Sequence, residues 1–369
     1  MDMIQFEEII RKFQIEGEIT EVHPLGHGSV NHTYEIVCGG IHYVLQEMNH
    51  FIFKYPTDVM NNLFHVTEYL RDIIEREGRD PDLETLTFIR TKAGNQLLQT
   101  ETGSYFRLYR MIRFGEEMKK PDTAETAYEV GKILGQFHRR LRDFPVEQLS
   151  YTMPKLHNMN HVLSAFLDAV RGDICFRTSD CQEQIQFVLE RSRKTSRIRD
   201  AVKAGEIPLR VTHNDTHYSN ILVDAESKKA ICLIDLDTVM PGVSILDFGD
   251  SVRAGAATFD EDEKSGDIEL DLDLYRFHLQ GYADEMGRVL TDREKELIND
   301  AVWLMALERG ICYLTDYLNG DRYLTDFSSE RQNLYRAVNQ FFLVLDIEEK
   351  NEQMMQIARH VFLRHGGVL

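Results

Sequence analysis

The chain has 369 residues, 43% apolar and 28% charged, which is ordinary for a globular protein of two or three packed units. With 42 basic against 61 acidic residues its net charge is −19, which argues against a nucleic-acid partner, because phosphate backbones demand basic patches. No apolar run approaches the roughly 18 residues of a membrane span, and five scattered cysteines without a Cys-x-x-Cys pair read as reduced thiols in a cytosol.

The opening MDMIQFEEIIRKF reads as an acidic amphipathic helix, not a signal peptide. A strand is predicted over Ile19 to Pro24, followed by Leu25-Gly26-His27-Gly28-Ser29-Val30-Asn31 and a second strand. Two glycines between strands let a backbone approach phosphate and present its amides, although a plain hairpin turn has the same spacing. Another strand, His42 to Met48, carries Gln46. Asn61 to Gly78 has helical spacing of Leu63, Val66, Leu70 and Ile73 or Ile74. Strands over 87–90, 96–100 and 104–111 follow, and Arg110 to Phe114, including Ile112, reads as a hinge.

Thr123 to Asp143 is an amphipathic helix, on which His138 reads as a packed residue and not a ligand. Two more helices are predicted over 160–171 and 180–203. Next comes VTHNDTHYSNILVDAESKKAICLIDLDT, from Val211 to Thr238. Asp215 leaves a short apolar run, Asn220 follows five residues later, and two short strands joined by a turn bring the chain back to Asp235. In kinases a loop aspartate orients the acceptor hydroxyl and takes its proton, while an asparagine five residues on and an aspartate after the hairpin hold magnesium. Carboxylates and phosphate oxygens about 4 Å apart repel by roughly 4 kcal/mol per pair at an effective dielectric near 20, and a divalent cation reverses that sign. Asp247-Phe248-Gly249 spells a metal-binding tripeptide of protein kinases, but it follows Pro241 and Gly242 instead of a hairpin strand. Asp247 and Asp250 therefore read as structural, capping the next helix or pairing with Arg253.

Downstream, 268–272 is expected to be a short strand, with helices over 274–286, 291–318, 328–345 and 349–365. The second of these groups Glu308, Arg309, Tyr313, Asp316 and Tyr317. Hydroxyl partners beside aromatic faces suit a sugar, and an ordinary core helix with a polar edge has the same composition.

HNDTHYSNIL followed by IDLDT resembles the aminoglycoside phosphotransferase and choline kinase superfamily. The longer strings IDLDTVMPGVSILDFGDSVRAGA and GICYLTDYLNGDRY look most like the N-acetylhexosamine 1-kinases, as does KLHNM at Lys155 to Met159. The resemblance implies an α+β, two-lobed, protein-kinase-like fold, with a small antiparallel-sheet lobe over 1–112 and a larger, mostly helical catalytic lobe over 113–369. It implies ATP and Mg2+ as cofactors. Gly26, Gly28, Ser29, Asn31, Gln46, Arg110 and Ile112 would lie on the nucleotide, Asn220 and Asp235 on the metal, and Asp215 would be the base. Asp215, Asp237, Arg309, Tyr313, Asp316 and Tyr317 would face the substrate. Gln46 matches the N-acetylhexosamine kinases, whereas Ser29 stands where they carry a histidine, Cys312 where they carry an arginine, and His217 where close relatives carry a lysine.

The expected function is phosphoryl transfer to a small-molecule hydroxyl in the cytoplasm, foremost the anomeric hydroxyl of an N-acetylhexosamine or related hexose. The alternatives are a choline, homoserine or aminoglycoside kinase and a nucleotide-binding regulatory protein without turnover. An acidic surface also suits cationic acceptors.

Overall fold

The computed structural model describes residues 3–26, 30–113, 115–259, 268–322 and 331–365. The elements run in chain order α1 (Met3–Ile10), β1 (Ile19–Pro24), β2 (His32–Cys38), β3 (Ile41–Met48), α2 (Pro56–Arg76), α3 (Pro81–Glu84), β4 (Thr87–Ile89), β5 (Leu98–Gln99), β6 (Tyr105–Arg110) and β7 (Gly115–Glu117). There follow α4 (Ala124–Arg140), α5 (Met159–Gly172), α6 (Gln182–Arg191), α7 (Arg197–Lys203), β8 (Arg210–Thr212), β9 (Ile221–Asp224) and β10 (Ala230–Leu233). Then come the strand β11 (Met240–Gly242) and the helices α8 (Ser244–Gly255), α9 (Leu272–Met286), α10 (Asp292–Glu296), α11 (Ile298–Leu318) and α12 (Gln332–Leu363). The chain divides into two compact units, one of Met1–Glu117, Asp143–Met153 and Leu222–Pro241, the other of Met118–Arg142, Pro154–Ile221 and Gly242–Leu369.

The first unit is built on an antiparallel sheet in the order β1-β2-β3-β6-β4, with β5 also on β6. Phe6, Ile10 and Phe13, from α1 and the residues just after it, are buried against Ile36, Leu45, Phe106 and Leu108 of the sheet. The register sets Thr33 opposite Gln46 and Gln46 opposite Arg107, a polar row across three strands. Helix α2 begins five residues before the expected start because Pro56 occupies its first turn, where a missing N–H costs nothing. A second sheet, β10-β9-β7, includes a strand that sequence periodicity does not mark, since Gly-Glu-Glu has no apolar alternation.

The second unit is helical apart from β8 and its loop. Helices α4 and α9 pack closely through paired glycines: a Cβ on Gly131 would lie 1.9 Å from the His278 carbonyl oxygen, and one on Gly281 would lie 2.1 Å from that of Tyr128. Thr123 caps α4 through a reciprocal pair with Thr126. The helix predicted over 180–203 is instead two short helices joined by a 3-10 turn at Ser192–Ser196. There Ser192 Oγ donates to Leu189 O at 2.8 Å and Thr195 Oγ1 to Ser192 O at 2.7 Å, local bonds that compete with the regular helix. The strand expected at 268–272 is a single bridge between Ala257 and Leu270, because Asp271 caps α9 by accepting from Asp273 N and Leu274 N. The helix predicted over 291–318 breaks at Leu297, and the two closing helices are one, α12. Residues 328–330, named above, lie outside the described residues. Among the described residues no helix is long and apolar enough to cross a membrane.

Candidate active site

In the helical unit, β8 leads into the loop carrying Asp215, and that loop is held from beneath by two carboxylates. Asp247, in the first turn of α8, accepts from His213 N at 2.7 Å and Asn214 N at 2.9 Å, and it lies 2.9 Å from His138 Nε2. His138 Nδ1 in turn meets Tyr282 Oη at 3.1 Å, so this histidine is a buried strut, as its helical position predicted. One helical turn on, Asp250 accepts from Thr216 N at 3.3 Å and from Arg253 Nε at 2.9 Å, while Thr216 Oγ1 donates to Asp247 O at 2.7 Å. Burial by itself would raise the pKa of Asp250, but Arg253, Arg309 and His157 hold it below the ordinary carboxylate range. Asp247 and Asp250 are thus structural, though what they fix is the loop before and after Asp215 as well as their own helix.

This bracing lets Asn214 stand at φ +64° and leaves Asp215 half-buried at the loop's tip. Asn220 Nδ2 donates to Asp215 Oδ2 at 3.1 Å and to Asp215 O at 3.0 Å, bonds that do not use the asparagine's amide oxygen. His217, two residues past Asp215, has Nδ1 2.8 Å from Ser219 Oγ.

His157 is a second brace. Its Nε2 lies 3.0 Å from Asn214 O and its Nδ1 3.1 Å from Glu308 Oε1. Both partners are acceptors, so both ring nitrogens donate and the ring is an imidazolium. Burial alone would disfavour that charge; Glu308, Asp250 and the Asn214 carbonyl overcome it and push the pKa up to about 9. Glu308 Oε2 is buried and has no hydrogen-bond partner among the described residues. Cys312, one turn along α11, is exposed, and Arg309 is half-buried with its guanidinium 6.0 Å from the Tyr313 ring.

The polar group predicted on α11 divides in two. Glu308 and Arg309 belong with His157 and Asp250. Tyr317 lies instead beneath the Arg177 guanidinium at 4.6 Å, and Asp316 accepts from Arg322 N at 3.0 Å and Asn333 Nδ2 at 2.8 Å. Both are buried in a network toward the C-terminal end of the helix.

In the sheet unit, Asp235 follows β10 in a left-handed conformation, φ +58° and ψ +53°, and is exposed to solvent. Asp237, within the single 3-10 turn that follows, is buried and doubly paired with Arg107, whose Nη2 lies 2.9 Å from Oδ2. Asn31 Nδ2 donates to the same carboxylate at 2.7 Å, and Asn31 Oδ1 accepts from Asn49 N at 3.0 Å. Arg107 Nε donates to Gln46 Oε1 at 2.8 Å, and Gln46 Nε2 to Thr33 Oγ1 at 3.1 Å. Asn31 and Gln46, singled out from the sequence, therefore converge on Asp237. The cation between them, Arg107, was missed; its one signal was a lone charge inside the strand Tyr-Phe-Arg-Leu-Tyr-Arg. Asn62 of α2 anchors the far side of the turn, donating to Val239 O at 2.9 Å and Ser150 O at 2.8 Å. Arg110 Nη1 donates to Asp82 at 3.1 Å, Ile112 is buried, and Gly26 has φ +69°. Gly28 and Ser29 lie outside the described residues.

Asn220 carries an amide oxygen and Asp235 a carboxylate, each a hard oxygen donor of the kind that Mg2+ takes.

Residues 76–284 match the phosphotransferase enzyme family APH. Among solved structures, a choline kinase from Cryptosporidium parvum superposes with a TM-score of 0.62 at 15% identity, covering 98% of this chain and 100% of that one. A microcompartment-associated aminopropanol kinase gives 0.59 at 14% identity, over 96% and 99% of the two chains. A spectinomycin phosphotransferase in complex with ADP and its antibiotic gives 0.57 at 16% identity, over 96% and 99%. These likenesses show the fold, a protein-kinase-like pairing of a small antiparallel-sheet lobe with a larger helical one. With more than half its length matching, this chain belongs to the APH phosphotransferase enzyme family.

Proposed function

We propose that the chain is an ATP- and Mg2+-dependent small-molecule kinase that phosphorylates the anomeric hydroxyl of an N-acetylhexosamine or related hexose, giving a sugar 1-phosphate and ADP. The observation that carries the kinase reading is the braced loop. Asp247, Asp250 and His157 bond the chain on both sides of Asp215 and leave its carboxylate half-exposed with Asn220 hooked onto it. A rigidly presented carboxylate is what positioning an acceptor hydroxyl requires. Asp215 orients that hydroxyl and takes its proton as the oxygen bonds to the γ-phosphorus and the bond to ADP breaks. Asn220 and Asp235 are the residues to hold Mg2+, which when bound offsets the charge of the transferring phosphoryl group. Gly26 covers the phosphates. Gln46 contributes no charge of its own there, and its partner Arg107 is neutralised by Asp237.

A neutral, hydroxyl-rich acceptor is supported by the pairing at Glu308. Its charge is balanced by the His157 imidazolium, so the pair presents no net negative charge to draw a cationic acceptor. Arg309 joins Glu308 as the acceptor-facing pair, while Asp316 and Tyr317 support the helix that presents them. Asp237 acts as a positioning residue for Asp235.

The test is ATP turnover against a panel of N-acetylhexosamines, hexoses, choline, homoserine and aminoglycosides, with phosphorus NMR of the product. An anomeric phosphate upholds the proposal. Turnover stimulated solely by a cationic amine ends the sugar reading, and nucleotide binding without turnover on any acceptor ends the kinase reading. Asp215→Asn lowers turnover by about 10² to 10⁴ and leaves nucleotide affinity nearly intact.

A further inference from the structure

The sheet unit holds a cavity of about 910 Å³, bounded by the chain just after α1, the start of α2 and the turn between β4 and β5. Neither Asp235 nor Asp237 lines it. Four cationic residues do, namely Arg11, Lys12, Arg90 and Lys92, together with side-chain amides such as Asn61 and Asn95. Acidic residues make up 61 of the chain's 369, a proportion that would place two or three carboxylates among the 16 lining residues. None of the described lining residues is acidic, so the cavity reverses the sign of the chain around it.

The backbone holds these cations together. Lys92 N donates to Lys12 O at 2.7 Å and Gln14 N to Arg90 O at 2.8 Å, flanking the bridge between Phe13 and Thr91. The two lysines thus leave directly bonded segments side by side, at sequence positions 80 residues apart. Arg90 lies over the Phe64 ring at 4.8 Å and donates to Gly94 O at 3.3 Å, which restricts its guanidinium. Among the described residues Arg11 is the one in an ion pair, with Glu7 at 2.9 Å. Like charges gathered without a counter-ion repel one another, and a bound anion relieves that cost. Met60 lines the same cavity and touches Arg107 Nη1 at 3.9 Å, so the site borders the ion pair that holds Asp237.

We propose that this cavity is a binding site for a small phosphorylated molecule, a phosphate monoester of sugar size. Lys12, Lys92 and Arg90 would take the phosphate, and Asn61 and Asn95 the polar body. The volume lies within the range of small-molecule sites, roughly 300 to 1,000 Å³. The inference does not rest on the chemistry proposed for Asp215.

Isothermal titration of the full chain with glucose 6-phosphate, inorganic phosphate and glucose tests it. The expected result is saturable binding of the ester, none of glucose, and at least tenfold weaker ester binding in Lys12→Ala/Lys92→Ala. The arginine pair Lys12→Arg/Lys92→Arg should retain it. Both lysines are exposed, and a thermal melt of each variant reports its folding. Should the double alanine variant melt early, Lys92→Gln alone must weaken binding severalfold. No binding of the ester, equal binding in the alanine and parent chains, or binding matched by a dicarboxylate of equal charge overturns the proposal.

Discussion

Replacing Asp247 with asparagine separates a loop brace from a metal ligand. The carboxylate accepts from two buried amides, His213 N at 2.7 Å and Asn214 N at 2.9 Å, one on each oxygen. Asparagine can offer its oxygen to one of them, and its NH2 then faces the other N–H. A buried amide left without an acceptor costs about 1–3 kcal/mol, and the remaining bond loses its charge assistance, for a sum of roughly 2–4 kcal/mol. In urea, where the slope for small proteins is about 1–3 kcal/mol per molar, the unfolding midpoint falls by on the order of 1 M. Because those two amides immediately precede Asp215, kcat also falls, by about 10- to 100-fold, as the base is misplaced. The KM for Mg2+ stays at the parent value, whereas Asp235→Asn raises it. An Asp247→Asn protein with parental stability and kcat, or with its stability intact and its Mg2+ requirement raised, would refute the reasoning.

The His157–Glu308 pair makes stability depend on pH. Because the folded-state pKa of about 9 lies above the ordinary 6.5, the stabilisation is complete below pH 6.5 and is lost as pH rises through about 9. Its ceiling is roughly 3 kcal/mol, and urea titrations across that window should lose their slope in His157→Gln. Arg107→Met strands the buried carboxylate of Asp237 and costs about 3–5 kcal/mol by denaturant unfolding, most of it regained in Arg107→Met/Asp237→Leu. Gly131→Ala drives a methyl group to 1.9 Å from the His278 carbonyl oxygen and lowers stability by about 1–3 kcal/mol or more, whereas Gly172→Ala, whose nearest neighbour would be 3.7 Å away, stays within about 0.5 kcal/mol. Thermal melts of the two glycine variants make the comparison.

Local chemistry was enough for much of this protein. The strands from Ile19 to Arg110, the helix at 124–140 and the hairpin that returns to Asp235 follow from apolar periodicity and turn residues, which act between near neighbours and so are written in consecutive letters. The spacing of Asp215, Asn220 and Asp235 belongs to the same class, as does the family they point to. What tertiary structure decided is every bond between distant residues. Asp247 reaches back 34 residues to His213, His157 spans 151 residues to Glu308, and Asp237 meets Arg107 across 130. No periodicity marks those partners, since a buried polar side chain finds its counter-group through the packing of whole elements, and that packing is also what divides the polar residues of α11 between two networks.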